Sequence, residues 1–570
     1  MEEGTLSRWS LSLAAALLFF YVGVVGINDV ALLAGGTLLG WSVPAGLLLA
    51  LATYSFVSLR RATAQHPSGA ATAQAAAWRL RRWLLGLLVL ALVLGLSAWL
   101  ANSFFDLSWD GRDYQQRAIA ALAQGWNPVY QERLPTNIYY NAELNAYPKA
   151  QWIAAAATYR LTGEIETGKA FNLLLMASVF FASFAFFTDF PQVRGWQGGL
   201  LSLALAANPV SLNQSLNYYV DGQVSSAFLL VLLLLLLSAR HADALVLGAL
   251  GCAVVLGLNL KFTGSAYVGL LCVAFVLVLW IRRRSLKPLK GLVVTLVASA
   301  VVGLFFFGFD PYVTNTLRYG HPLYPLYGNS PFNQQYLVGS QMPAAFQARA
   351  DVDKLFLAIT LPPQNDSAAL HGTSALIPPL DEQTLAAYGS PDVRIAGWGP
   401  LFGLLLVIGA ASWLALLITN WRLGLATLGL DLMVVFVSLP NSELWWARYT
   451  PQLWLLPLAV AAAYLFTRHP AGRAWGTMIT MVALANLVLV AMPYVAINWE
   501  HTTTMRTTLE ELGHTGQEVL IYYQPFEGTA IKLQQYGVNY RMVASPRALP
   551  CPQTLAPGVY YSPLPCPAPG

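Results

Sequence analysis

Long apolar stretches, recurring almost from one end of the sequence to the other, constrain this chain more than any other feature. About 18 uncharged apolar residues are enough for a helix to cross a bilayer. About thirteen such stretches lie near 9–27, 30–58, 83–101, 168–188, 195–211, 221–239, 242–259, 264–281, 289–309, 396–418, 422–439, 451–467 and 475–496. Backbone in hydrocarbon must satisfy its own hydrogen bonds, so runs of this kind are expected as helices. Only 10% of the 570 residues are charged, against about 25% in ordinary globular domains, which excludes a soluble core. The expected class is a polytopic α-helical membrane protein with about 13 transmembrane helices. The formal net charge of +5 is no nucleic-acid signal, because the bases fall in short loops between spans. The opening MEEGTLSRWS is polar and carries acids, and it leads into another span, unlike a cleaved leader.

Lys and Arg set the orientation. With the N-terminus in the cytoplasm, the inner loops hold Arg60, Arg61, Arg79, Arg81, Arg82, Arg194, Arg240, Arg282, Arg283, Arg284, Lys287, Lys290, Arg422, Arg468 and Arg473. That is the positive-inside pattern. An odd number of spans leaves the C-terminus outside, and three large segments then face outward: 102–167, 310–395 and the tail 497–570. Residues 1–82 read as two additional spans with a cytoplasmic linker over 60–82, and 83–496 as the main transmembrane unit. Richness in Ala, Leu and Gly points to a bacterial chain, hence to an inner (plasma) membrane.

The first outer segment carries Asp106, Asp110, Asp113, Glu132 and Glu143 in a chain that otherwise avoids charge. Residues 110–124 have helical character, with Ala118, Ile119, Ala121 and Leu122 as an apolar stripe, and 151–161 make a second Ala-rich piece. Both are too short to span and are expected to lie flat against the membrane surface. The tail has a different texture. EVLIYY, VNYRMVA and GVYYSPL read as strands, and TAIKLQQYG as a helix closed by Gly537, giving a small extracytoplasmic α/β domain. On the oxidising side of a membrane, Cys551 and Cys566 are expected to pair, whereas Cys252 and Cys272 lie within spans as packing residues.

Asp110 and Asp113 stand three apart, which puts them on one face of a helix. A carboxylate there can act as general base toward a hydroxyl, or simply cap the helix. Asp221 opens a span on the same side, with the same two readings. Lys149, Lys261 and Arg448 interrupt outer loops otherwise poor in cations. Together they would hold an anionic head group, and singly they would snorkel at the membrane edge. FDPYVTNTLRYGHPLYPLYGNSPFN, with Arg318, His321 and Tyr324, suits a sugar or lipid head group, or an interfacial aromatic belt. His321 has no second His at ligand spacing. No phosphate-binding loop, nucleotide fingerprint or Ser-His-Asp signature is present. The sequence requires no cofactor and leaves a divalent metal open.

A span, an outer loop opening on an acid, flat helices, many further spans and an outer C-terminal domain together resemble the GT-C superfamily of membrane glycosyltransferases. Protein O-mannosyltransferases and the aminoarabinose transferase of lipid A belong there. WDGRDYQQRAIAALAQGWNPVY is similar to the family's first-loop pattern, with Asp110 and Tyr114 on its Asp and Tyr positions. Where the family often has a second acid directly after the Asp, this chain has Gly111, and Asp113 follows later. AYPKAQWIAAAATYRLTG is similar to a Lys-Pro segment with the order reversed, which brings in Tyr147 and Lys149. Asp221 resembles the acid of the second outer loop, and Arg448-Tyr449 a late outer Arg-Tyr pair. At fold level the resemblance covers roughly 83–500.

The resemblance implies an inverting transfer from a polyprenyl-phosphate sugar to a hydroxyl of a glycan, lipid or protein, in cell-envelope glycan biosynthesis. Asp110, Asp113 and Asp221 would be its catalytic acids, and Lys149, Lys261 and Arg448 would bind the donor phosphate. Tyr114, Tyr147, Arg318, His321, Tyr324 and Tyr449 would contact substrate. The segment 310–395 would close over the site, as long outer loops often do. Two competitors are a flippase or transporter of lipid-linked sugars, for which Asp431 is the one acid near mid-span, and a ligase or polymerase using a polyprenyl-diphosphate glycan.

Overall fold

The apolar stretches fold as helices. The computed structural model describes residues 3–64, 73–131, 134, 141–285, 287–330, 342–365, 370–564 and 566. Among these residues nine helices are long and apolar enough to cross a membrane: Leu6–Leu33, Ala77–Ser103, Ile165–Thr188, Asp221–Arg240, Phe262–Arg283, Lys287–Phe307, Phe402–Thr419, Trp421–Ser438 and Pro470–Thr515. Ser42–Ser58, Ala244–Leu260 and Pro451–Leu465 are shorter apolar helices. The chain is a multi-pass membrane protein.

The stretches that fall short of a full span have local causes. The expected span near 30–58 is two pieces, because the first helix ends at Leu33 and the next begins at Ser42. Asn28 fastens the connection, donating to Ser42 Oγ at 2.7 Å and accepting from the Leu39 N–H at 2.7 Å. The expected span near 195–211 is the helix Gly195–Ala206, 12 residues long. At 1.5 Å per residue that is ~18 Å, against a hydrocarbon core of about 30 Å. Asn208 then breaks the chain, accepting from the Val210 N–H and donating to Pro451 O at 2.8 Å. Pro451 opens the other short piece, and the two interrupted helices run side by side, with Trp454 Nε1 donating to Ala204 O at 2.9 Å. Their freed backbone groups find partners inside the protein, as Asn172 donates to the carbonyls of Gln214 (2.8 Å) and Asn217 (2.7 Å). Irregular backbone at membrane depth is tolerated only when so enclosed.

One expectation about placement needs correction. The pieces Gln116–Ala123 and Ala150–Thr162 are short helices, but they do not lie against lipid. Ala118, Ile119, Leu122, Ala154, Ala155, Ala156 and Ala157 are completely enclosed by protein. Trp152 Nε1 donates to Gln115 Oε1 at 2.9 Å and ties the two regions together. The apolar stripe therefore serves the core. The first of the two additional N-terminal helices packs against the rest of the chain. Ser7 Oγ donates to Ala185 O at 2.8 Å and Tyr21 Oη to Gln223 Oε1 at 2.7 Å, so it is built into the core.

The helix Pro470–Thr515 runs unbroken for 46 residues through the expected boundary at 497 and carries the C-terminal domain on its end. Strands β1 (Val519–Tyr522), β2 (Tyr540–Met542), β3 (Gln553–Ala556) and β4 (Val559–Pro563) form one sheet in the order β2-β1-β4-β3. β1 and β2 are parallel, joined through the helix Gly528–Gln535, and β4 is antiparallel to both β1 and β3. Gly537 has φ +64 and ends that helix, as expected. β3 was not anticipated. Its Gln-Thr-Leu-Ala follows Pro552 and has little β-branched character. A disulfide joins Cys551 to Cys566, while Cys252 and Cys272 are unpaired.

Candidate active site

The domain sits directly on the segment 102–167. Lys532 reaches Glu166 at 2.8 Å, Glu166 holds Lys169 at 2.6 Å, and all three are buried. Arg112 donates to Pro557 O at 2.8 Å and stacks on Phe526, 4.0 Å from the ring centroid. Arg117 pairs with Glu527, and Trp109 packs edge-on against Phe526.

Asp106 shapes the loop thus held. Its Oδ1 accepts from the N–H and hydroxyl of Ser108, and its Oδ2 from the Tyr218 N–H at 2.7 Å. Burial pushes this carboxyl up to about 6, against the pull of Lys169. Gly111 lies against it, and a β-carbon at Gly111 would collide with the Asp106 carboxylate and Ser108 Oγ. That explains why no second acid follows Asp110 directly. The chain continues through a wide turn, Gly111–Gln115, closed by a bond from the Gln116 N–H to Gly111 O. Turns of this width recur at functional sites.

Asp110 makes no capping bond to the helix that follows. Its Oδ2 instead receives Arg448 Nη2 at 2.6 Å and Tyr114 Oη at 3.3 Å. Arg448 Nε meets Asp221 Oδ2 at 2.5 Å and its Nη1 stands 3.5 Å from Asp392 Oδ2. Lys261 holds the other oxygen of Asp221 at 2.5 Å. The guanidinium lies 4.0 Å from the centroid of the Tyr219 ring. Burial opposes the Arg448 charge, but Asp221 and Asp110 more than offset it and hold the group well above its ordinary value. Residues more than 300 positions apart in sequence thus form one cluster.

The cluster borders a cavity of about 590 Å³. Asp110, Asp113, Tyr114, Tyr147, Lys261, Arg448 and Tyr449 all line it, and Leu260, Phe262, Ala266, Leu323 and Leu326 give it an apolar side. Burial, and then the Asp110 charge, push Asp113 up to about 7. Asp221 does not line the cavity; it is buried behind the two cations it holds.

Four expected site residues lie elsewhere. Lys149 is buried beside Asp310 at 2.6 Å and donates to the carbonyls of Asn145 and Tyr147, both at 2.8 Å. Burial depresses its ammonium, with Asp310 opposing. Arg318 donates to the carbonyls of Pro128 and Val129. His321 Nδ1 accepts from the Leu323 N–H at 3.1 Å, and Tyr324 stacks on Tyr319 with ring centroids 4.1 Å apart. Asp431 also lies away from the cavity. Glu132 falls outside the described residues, as do parts of the 60–82 linker and of 310–395.

Sequence reasoning missed Asp392 and Glu443. Asp392 accepts from Trp446 Nε1 at 3.1 Å, and burial raises its carboxyl against the pull of Arg448 and Arg394. Both are single acids in segments between apolar stretches, in a chain that otherwise avoids charge, the same signal that marked Asp110. Among the described residues no group of three His, Cys, Asp or Glu side chains stands ready to hold a metal ion. No known protein-family profile matches the chain, and no curated protein matches it significantly.

Proposed function

We propose that this protein is a GT-C-type membrane glycosyltransferase, moving a sugar from a polyprenyl-phosphate donor to an acceptor hydroxyl with inversion. The observation that carries this reading is a single cavity in which carboxylates, Asp110 and Asp113 among them, stand beside the cations Lys261, Arg394 and Arg448 and an apolar wall. The acceptor oxygen attacks the anomeric carbon as the bond to the phosphate oxygen breaks. The hydroxyl proton passes to Asp110, whose hydrogen bonds both fall on Oδ2, leaving Oδ1 to accept it. The departing phosphate is neutralised by Lys261 and Arg448. The contact of Arg448 with Asp392 is its longest, at 3.5 Å, and is the one a phosphate oxygen would replace. A lipid donor entering from the bilayer needs no nucleotide site.

The reaction is assigned to the extracytoplasmic face of a bacterial plasma membrane. Disulfides persist in oxidising compartments, and the domain with the Cys551–Cys566 bridge touches the Asp110 loop through Arg112 and Pro557. The test is transfer by purified protein from a labelled polyprenyl-phosphate monosaccharide, beside a polyprenyl-diphosphate glycan. The first donor should work and Asp110→Asn should abolish transfer while the protein still folds and inserts. Use of the diphosphate glycan alone would make it a ligase or polymerase, and near-full transfer by Asp110→Asn would remove Asp110 from the mechanism.

A further inference from the structure

Glu443 lines the cavity, and the mechanism above gives it no part. Its backbone is firmly placed. The Glu443 N–H donates to Asn441 Oδ1 at 2.8 Å, and Glu443 O accepts from the Trp446 N–H at 3.0 Å. The loop therefore presents the side chain in one position, yet the residue is only 2% exposed and no hydrogen bond of normal geometry reaches either carboxylate oxygen among the described residues, the neighbouring Trp445 indole N–H lying close but likewise unpaired. Asp110 meets Arg448, and Asp392 meets Arg448, Arg394 and Trp446; Asp113 leaves its Oδ1 without a partner, and of the four cavity acids Glu443 alone leaves both oxygens so among the described residues. The cation whose field reaches Glu443, Lys354, is paired with Asp351 at 3.0 Å. Burial raises the Glu443 carboxyl to about 7, tempered by the Trp445 indole.

Enclosing an acid without a partner costs free energy that a folded protein does not normally tolerate. The position opens on the cavity, so the missing partner is one the cavity receives. It must bring hydrogen-bond donors, because an ionised carboxylate only accepts. A phosphate has none to bring, and the cations for it stand at Lys261 and Arg448. We infer that Glu443 is the sugar-recognition residue of this site, accepting from hydroxyl or amino groups on the ring of the transferred sugar. The inference rests on the glycosyltransferase reading and names which end of the donor this loop reads: Arg448 the phosphate, Glu443 the sugar, five residues apart on one strip of chain.

Binding by full-length protein in lipid nanodiscs tests this. The probes are polyprenyl phosphate without a sugar, the same lipid carrying glucose, mannose or galactose, and the lipid carrying an amino sugar. Wild type should bind at least one sugar-bearing lipid about tenfold or more tightly than the bare lipid, the loss expected for hydrogen bonds to a charged group. Glu443→Ala and Glu443→Leu should abolish that preference and leave bare-lipid affinity unchanged. A preference confined to the amino sugar identifies N–H donors, and one shared by neutral sugars identifies hydroxyls. Glu443→Leu should also unfold at a higher temperature than wild type, because it removes an unpartnered acid, whereas a side chain holding the fold together would show a lower one. A sugar preference that survives both substitutions overturns the assignment of Glu443 alone. No preference for any sugar lipid in the wild type overturns the glycosyltransferase reading as well.

Discussion

Replacing Arg448 by Met should destabilise the protein, and a second substitution should rescue or aggravate the loss according to which carboxylate is left alone. The Arg448 side chain is 10% exposed, Asp110 18% and Asp221 4%, so the pairs are poorly screened. Removing one partner of a buried ion pair typically costs ~3–5 kcal/mol, because the other charge stays buried without compensation. The three acids around Arg448 are not equivalent in its absence. Asp221 keeps Lys261 at 2.5 Å, and Asp392 keeps Arg394 at 3.9 Å. Among the described residues Asp110 keeps only the Tyr114 hydroxyl at 3.3 Å, with Asp113 close enough to feel its charge. Adding Asp110→Asn to Arg448→Met should therefore recover about 1–3 kcal/mol, the usual cost of one unsatisfied buried group. Adding Asp221→Asn should make matters worse, because it strands Lys261. Thermal unfolding midpoints in detergent, compared across the two double-mutant cycles, measure both signs. A double variant with Asp110→Asn that is no more stable than Arg448→Met alone would refute the idea that Arg448 neutralises Asp110. If Asp221→Asn rescues as well, the cluster responds to net charge and not to specific pairing.

Asp113 titrates at about 7 in the folded protein and at about 4 when unfolded. Between those values the folded form holds the extra proton, so stability falls as pH rises through that window. Asp113→Asn should flatten the fall, seen as unfolding midpoints between pH 4 and 8, and an unchanged slope would place the proton elsewhere. Lys149→Ala should lower the folded yield, consistent with ~3–5 kcal/mol for breaking its buried pair with Asp310. The folded fraction should keep the wild-type donor KM, and a raised KM would return Lys149 to the phosphate site. Gly111→Ala should lower both stability and kcat, because its methyl group would displace the Asp106 carboxylate that fastens this loop to Tyr218. Full turnover in that variant would show that the turn tolerates a side chain.

The different fates of Lys149, Lys261 and Arg448 show what could be read from the chain and what could not. All three look alike in sequence: single cations in outer segments poor in positive charge, each near aromatic residues. Hydropathy and loop charge are properties of short windows, so they located the helices and put these residues in the extramembrane segments. Which cation meets which acid depends on packing between windows. Asp310 claims Lys149 because the chain leaves helical geometry there, at φ −101 and ψ 117, behind a Phe-rich stretch whose hydropathy reads simply as the end of a span. Arg448 reaches Asp110 because two interrupted helices, broken at Asn208 and Pro451, hold the 440–449 loop inward. Windowed apolarity draws both as ordinary spans, since it averages over one Asn or Pro. The flat helices were misplaced for a related reason. An Ala-rich stripe is compatible with lipid or with close packing of other helices, and Ala154, Ala155, Ala156 and Ala157 are fully enclosed because neighbouring elements pack close against them. Small side chains at such a position are a packing signal, and reading them as that would have placed Ala150–Thr162 beneath the cavity, where Gln151 and Trp152 line it.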